Sequence, residues 1–133
     1  MSLEEKVATL QQLQREFEIL QRRVVELELL ANEYRKALST LEFLKSEENV
    51  DALINLGGGV YGYANIKDGK KFLLDIGAGV ILEKDAESTL TFIKKKLEEV
   101  EKMSAETANA LRSVAVQASK IQQEIAELSK KEK

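Results

Sequence analysis

A seven-residue apolar repeat in each outer third of the chain limits its fold more than any other feature. Repeats of this kind, sustained over six heptads, predict helices that pack as a coiled coil. The 133 residues contain no proline, so the commonest helix breaker is absent. We predict helices over 2–46 and 85–131. The first seam comprises Leu3, Leu10, Phe17, Val24, Ala31 and Leu38 with Lys6, Leu13, Leu20, Leu27, Tyr34 and Leu41; the second comprises Leu90, Leu97, Ser104, Leu111, Ala118 and Ile125 with Ile93, Val100, Thr107, Val114, Ile121 and Leu128.

Both predicted helices begin with capping signals. Ser2 with Glu5 three residues later is a capping box, in which the side chains bond free amides of the first turn. Asp85 is a suitable N-cap for the second helix, and Glu87 places negative charge in its first turn.

The segment between the helices, residues 50–84, lacks the helical period and contains all seven glycines. Its short apolar runs of strand-forming residues predict β structure. Ile54-Asn55-Leu56-Gly57-Gly58-Gly59-Val60 recurs twenty residues later as Leu74-Asp75-Ile76-Gly77-Ala78-Gly79-Val80, which predicts two strand–glycine–strand units. Lys67-Asp68-Gly69-Lys70 is further interpreted as a type I′ hairpin turn, because Asp-Gly tolerates positive φ angles.

Helices of matching length joined by a connector are expected to fold back as an antiparallel hairpin. Facing seam positions then add up to a constant, and a sum of 131 gives almost wholly apolar layers. Leu41 meets Leu90, for example, and Leu10 meets Ile121. Lys6 would face Ile125, so we expect the seam to loosen there. The fold class is therefore α+β: a long antiparallel two-helix coiled coil with two β-hairpins between the helices.

Two surfaces are candidates for function. Loosened helix ends would expose apolar groups and form a binding surface, although the same residues could instead simply complete the seam. Hairpins are marginally stable alone and leave unpaired edges, so we expect them to pair with other subunits. The end set is Leu3, Val7, Leu10, Leu13, Ile121, Ile125 and Leu128; the oligomerisation set is Ile54, Leu56, Val60, Tyr61, Tyr63, Ile66, Phe72, Leu74, Ile76, Val80 and Leu82.

The composition argues against an enzyme, a metal site or a cofactor. Without cysteine or histidine there is no thiolate, imidazole base or usual zinc ligand. Gly57–Gly62 satisfies G-x-G-x-x-G, but a strand follows it where a dinucleotide site needs a helix. A net charge of −3 in mixed signs argues against nucleic acid, and the lack of a signal peptide or an 18-residue apolar run predicts a cytoplasmic protein without membrane contact.

Taken together, the two coiled-coil helices and the repeated Leu56–Val60 and Ile76–Val80 glycine motifs resemble the α-type subunit of prefoldin over essentially the whole chain. The resemblance implies an archaeal-like, ATP-independent chaperone subunit in a hexamer of two α-type and four β-type subunits. It also implies that the two hairpins between the coiled-coil helices form an oligomeric β-barrel platform. It also implies that non-native proteins are captured at the coiled-coil ends and delivered to a group II chaperonin. The remaining alternative is a structural tether that binds one folded partner, although a tether needs no duplicated hairpin.

Overall fold

The computed structural model describes residues 2–131; residue 1 and residues 132–133, the ends of the domain predicted over 1–133, lie outside that range. The chain divides into two compact units. The helical unit comprises residues up to 31 with those from 99 onward, and the hairpin unit is Asn32–Glu98. The elements are α1 (Leu3–Leu44), β1 (Glu48–Gly57), β2 (Val60–Asp68), β3 (Lys71–Gly77), β4 (Val80–Asp85) and α2 (Ala86–Lys131).

Both helices begin at the predicted caps. The Ser2 hydroxyl accepts the Glu5 N–H at 3.2 Å, and an Asp85 carboxylate oxygen accepts the Ser88 N–H at 2.7 Å. The Ser88 N–H holds the pKa of Asp85 below its usual value, because the bond favours the charged carboxylate. The Thr89 hydroxyl donates a hydrogen bond to the Asp85 carbonyl oxygen at 2.8 Å. The two N-cap predictions are confirmed.

In the helical unit the two helices pack antiparallel along the predicted seam. Leu27 is 2% exposed, and the other buried side chains are Leu13, Ala31, Val100 and Val114. Polar contacts between the helices include Lys6 Nζ to Glu124 Oε2 at 3.0 Å and the Ser104 hydroxyl to Glu28 Oε1 at 3.1 Å. The residue numbers add up to 130 (6 and 124) and 132 (28 and 104), one either side of the predicted 131.

The core of the hairpin unit joins both helices to the second hairpin. Leu41, Leu90 and Ile93 from the helices bury together with Leu74 of β3. Tyr34, Ala37, Leu38, Phe72 and Phe92 surround this cluster, partly buried. The predicted layer of Leu41 with Leu90 is therefore confirmed. Because Leu74 completes the cluster, β3 is fixed to the helices by apolar packing as well as by chain connection.

Each hairpin closes on a two-residue turn within the duplicated motif. β1 pairs antiparallel with β2, and β3 with β4, each with a register irregularity just before the turn. The turn residues all have positive φ: 59° and 80° at Gly58 and Gly59, 52° and 74° at Ala78 and Gly79. A type I′ turn requires this conformation at both positions, which the three glycines adopt without steric cost and Ala78 adopts against the preference of residues that have a Cβ. The two predicted strand–glycine–strand units are confirmed.

The predicted hairpin turn at 67–70 is wrong. Hydrogen bonding in the described chain forms two separate two-stranded sheets, and residues 69–70 connect β2 in one to β3 in the other. Gly69 is buried under the end of α1, and a Cβ there would lie 1.7 Å from the Leu44 carbonyl oxygen. The glycine is required for close backbone approach rather than for a positive φ. Asp68 still organises the connection, because its carboxylate accepts the Lys70 N–H at 2.9 Å.

Element boundaries differ modestly from the prediction. α1 ends at Leu44 instead of residue 46, and the β segment covers 48–85 instead of 50–84. The polar residues before 50 contain no apolar alternation that could predict a strand. Glu48 is nevertheless recruited by backbone pairing with Asp68, which does not depend on side-chain polarity.

Candidate functional surfaces

The end set of the helical unit is mostly half-buried. Leu3, Leu10, Ile121, Ile125 and Leu128 are intermediate in exposure, and Val7 is exposed. Leu13 is buried in the seam, so a ligand would reach it only if the helices separated. The helices thus present apolar groups to solvent at their ends without losing contact with each other. As a binding site, the end set stays a prediction.

Lys6 does not interrupt the seam as predicted. Instead of facing Ile125 unpaired, its ammonium reaches Glu124, and its side chain is only 17% exposed against 42% for Glu124. A long lysine can bury its methylene stem while its charged head reaches the edge of an interface. The prediction failed because heptad spacing describes seam positions, whereas Glu124 is the residue beside the seam position Ile125. Helical structure continues to Leu3 and Lys131.

The hairpins expose apolar residues on both faces. On one face of the first hairpin Val50, Ala52 and Ile54 pair with Ile66, Ala64 and Gly62, and most of these residues are half-buried. On the opposite face Leu53 pairs with Tyr63, which is 94% exposed. Strands apolar on both sides are typical of sheets that are covered on both sides. The hairpins therefore leave apolar side chains uncovered on both faces.

The predicted oligomerisation set divides by burial. Ile66 and Phe72 are half-buried, and Leu74 belongs to the core of the hairpin unit, so these three are already packed within the chain. The rest are exposed and available to a partner: Ile54, Leu56, Val60, Tyr61, Tyr63, Ile76, Val80 and Leu82. Their role in assembly stays a prediction.

Sequence reasoning missed three exposed strand residues, Leu53, Leu73 and Ile81. Each stands next to an apolar neighbour in the chain: Leu53-Ile54, Leu73-Leu74 and Ile81-Leu82. Because successive strand residues point to opposite faces, such pairs indicate that both faces are apolar. That signal was present in the sequence.

Leu56 lies beside Gly62 within the first hairpin. A Cβ at this position would lie 3.4 Å from a methyl carbon of Leu56, so Leu56 covers the backbone of β2. Leu56 itself remains exposed on its outer side. The 3.4 Å distance is an ordinary van der Waals contact, so a Cβ at residue 62 would fit beside Leu56.

Other chemistry is sparse in the part of the chain that the structure describes. Within residues 2–131 no three His, Cys, Asp or Glu residues are placed together as metal ligands. No helix in that range is both long and apolar enough to cross a membrane.

Paired antiparallel helices and two glycine-turn hairpins, with apolar strands left uncovered, define an α+β coiled-coil protein. The comparisons with known proteins agree. A prefoldin subunit family model matches residues 13–131, and the chain belongs to the prefoldin family.

Two curated relatives show which type of subunit the chain resembles. It is 48% identical to prefoldin subunit alpha of Archaeoglobus fulgidus over 131 residues, covering 98% of this chain and 96% of that protein. It is 31% identical to prefoldin subunit alpha of Methanocorpusculum labreanum, covering 96% and 90%. The predicted α-type resemblance is confirmed.

A solved structure supports the fold. The chain is similar to a cryo-EM structure of filamentous PFD from Methanocaldococcus jannaschii, with a TM-score of 0.70 and 20% identity, covering 90% of this chain and 98% of that one. At this identity the likeness concerns the fold alone. The likeness supports two long helices with two hairpins between them as the fold of this chain.

Proposed function

We propose that this chain is the α-type subunit of a cytoplasmic, ATP-independent chaperone that captures non-native proteins at the ends of its helical unit. The observation that supports capture is the half-buried end set. Apolar side chains that stay accessible on a stable helical support can bind exposed apolar segments of many proteins without a defined partner sequence. The buried seam behind them, from Leu13 and Val114 onward, supplies the support.

Assembly with β-type subunits, two α-type with four β-type, is the second part of the proposal. Eight large apolar or aromatic side chains of the predicted set are exposed on the hairpins, and the strands have free edges. Pairing of these strand edges with another subunit would bury the exposed side chains and satisfy the free backbone groups at the same time. Native mass spectrometry of the chain alone and mixed with a β-type subunit tests this directly: a complex of two with four is expected, and no mixed complex would contradict it.

Aggregation suppression tests the capture step. The complex containing the whole chain is expected to keep an unfolded client soluble, and a complex whose chain lacks residues 1–10 and 121–133 is expected to assemble but not to suppress. A matched control changes Val25 and Leu29 to Gln, which removes exposed apolar groups elsewhere on α1. No suppression by the whole complex would favour the tether alternative, and loss of assembly on truncation would refute the placement of the assembly surface.

Delivery to a group II chaperonin is the last part of the proposal. We expect a client held by the complex to refold when a group II chaperonin and ATP are added, and to remain bound when either is omitted. Client release without chaperonin would contradict delivery while leaving capture intact.

A further inference from the structure

Lys6 is a charged residue in the apolar seam of the helical unit. It lies seven residues before Leu13 and twenty-one before Leu27, both of which are buried. Its own side chain is 17% exposed, and its Nζ lies 3.0 Å from Glu124 Oε2 on the other helix. A single polar core position in a coiled coil commonly specifies alignment at some loss of stability.

The ion pair distinguishes the observed alignment from its nearest alternatives. Sliding the helices by one heptad would bring Gln117 or Lys131 to the place of Glu124. Neither can form an ion pair with lysine, and Lys131 would repel it. The apolar layers tolerate the first of these slips, because Leu13 would then meet Leu111 and Leu27 would meet Leu97. The ion pair therefore favours the observed alignment over a slip of one heptad, whereas these leucine layers do not distinguish the two.

The strength of the contact also differs from that of an apolar layer. Glu124 is 42% exposed, so water and salt screen its attraction for Lys6, and such pairs are weak. A leucine at residue 6 would close this layer whatever the salt concentration. A lysine closes it only while the ion pair holds.

We propose that Lys6 and Glu124 form a salt-sensitive clasp that sets how far the helix ends separate and thereby how much of the end set a client can contact. The second half of this statement rests on the proposed chaperone function. Closed, the clasp keeps Leu3, Leu10 and Ile121 half-buried. Open, it lets the helices part toward Leu13 and enlarges the apolar surface.

Hydrogen exchange of the full chain tests the clasp without any client. We expect amides of residues 3–10 and 121–128 to exchange about two- to fivefold faster at about 1 M than at about 0.01 M sodium chloride. Glu124→Gln should exchange at the faster rate at both concentrations, which also controls for other effects of salt. Glu127→Gln removes an exposed acid three residues away and should behave as the wild type.

Two further variants separate the clasp from a merely structural role. Lys6→Met keeps the stem without the charge and should exchange slowly at both salt concentrations. The charge swap Lys6→Glu with Glu124→Lys should restore the salt dependence. Salt-independent exchange in the wild type, or a swap that restores nothing, would overturn the proposal.

Client binding by the assembled complex gives the last comparison. Glu124→Gln should bind an unfolded client more tightly than the wild type, and Lys6→Met more weakly. If exchange responds as expected but no variant binds client, the clasp stands and the chaperone function fails. If exchange responds and all variants bind equally, the link between clasp and capture is refuted.

Discussion

Replacing Gly69 tests whether the chain needs a residue without a side chain beneath the end of α1. A Cβ on residue 69 would lie 1.7 Å from the Leu44 carbonyl oxygen and 2.3 Å from its carbon. Ordinary contact begins near 3.4 Å, so one backbone must move by about 1.7 Å. Overpacking typically costs about 1–3 kcal/mol, and because backbone opposes backbone here we expect Gly69→Ala to lower the free energy of unfolding by about 3 kcal/mol.

Two comparison variants test whether Gly69 is needed for the close approach of two backbone segments or for a turn conformation with positive φ. Gly58 has a φ of +59° with open space around its missing Cβ, so Gly58→Ala should cost only about 1–2 kcal/mol. Gly69→Asn should be as damaging as Gly69→Ala, since asparagine tolerates positive φ but still has a Cβ. Denaturant unfolding of the full chain at fixed concentration, followed by far-ultraviolet circular dichroism, measures all three. A stable Gly69→Asn variant would refute the reasoning.

Three shorter predictions follow from the hairpin unit. Leu90 is 2% exposed, so Leu90→Ala should lower the free energy of unfolding by about 2–5 kcal/mol in denaturant titration. Because the Ser88 N–H lowers the pKa of Asp85 from its usual 3.8, Asp85 stabilises the fold above that pH and loses the effect as pH falls through its lowered pKa. Asp85→Asn should therefore show a smaller loss of melting temperature in acid than the wild type. Leu56→Asp should leave helix content unchanged but weaken assembly in native mass spectrometry, because Leu56 is exposed in the single chain.

The helices and their alignment could be predicted because the information is local and periodic. Apolar residues every seven positions specify which side of each helix is buried, and matching the two seams specifies the register. The contacts at 6–124 and 28–104 agree with that register to within one residue. The duplicated glycine motif likewise predicted two strand–glycine–strand units, and in the structure each unit contains a two-residue turn with positive φ.

The errors arose where a contact with a distant part of the chain determines the role of a residue. Asp68-Gly69 has the sequence of a hairpin turn, yet Gly69 is required by Leu44, which is 25 positions earlier in the chain. Similarly, spacing marks Lys6 as a break in the seam, whereas the acid that pairs with it lies beside the seam on the other helix. Neither contact follows from the local pattern alone.

The candidate sites were predicted by residue type but not by accessibility. Leu74 and Leu73 are both strand leucines, and only the structure shows that the first packs in the core while the second is exposed. Exposed apolar residues on the helices, such as Leu29 and Val116, fall outside the heptad series and were not predicted as surface features. They provide useful controls for the end set.

The central claim is that non-native proteins bind at the ends of the helical unit, and site-specific photocrosslinking tests it most directly. A photoreactive amino acid would replace Ile125, which is half-buried near the end, or Leu29, which is 62% exposed but lies outside the end set. With an unfolded client and the assembled complex, we predict strong crosslinking from position 125 and little from position 29. Crosslinking from position 29 equal to or above that from position 125 would show that exposure alone governs binding and would contradict the account.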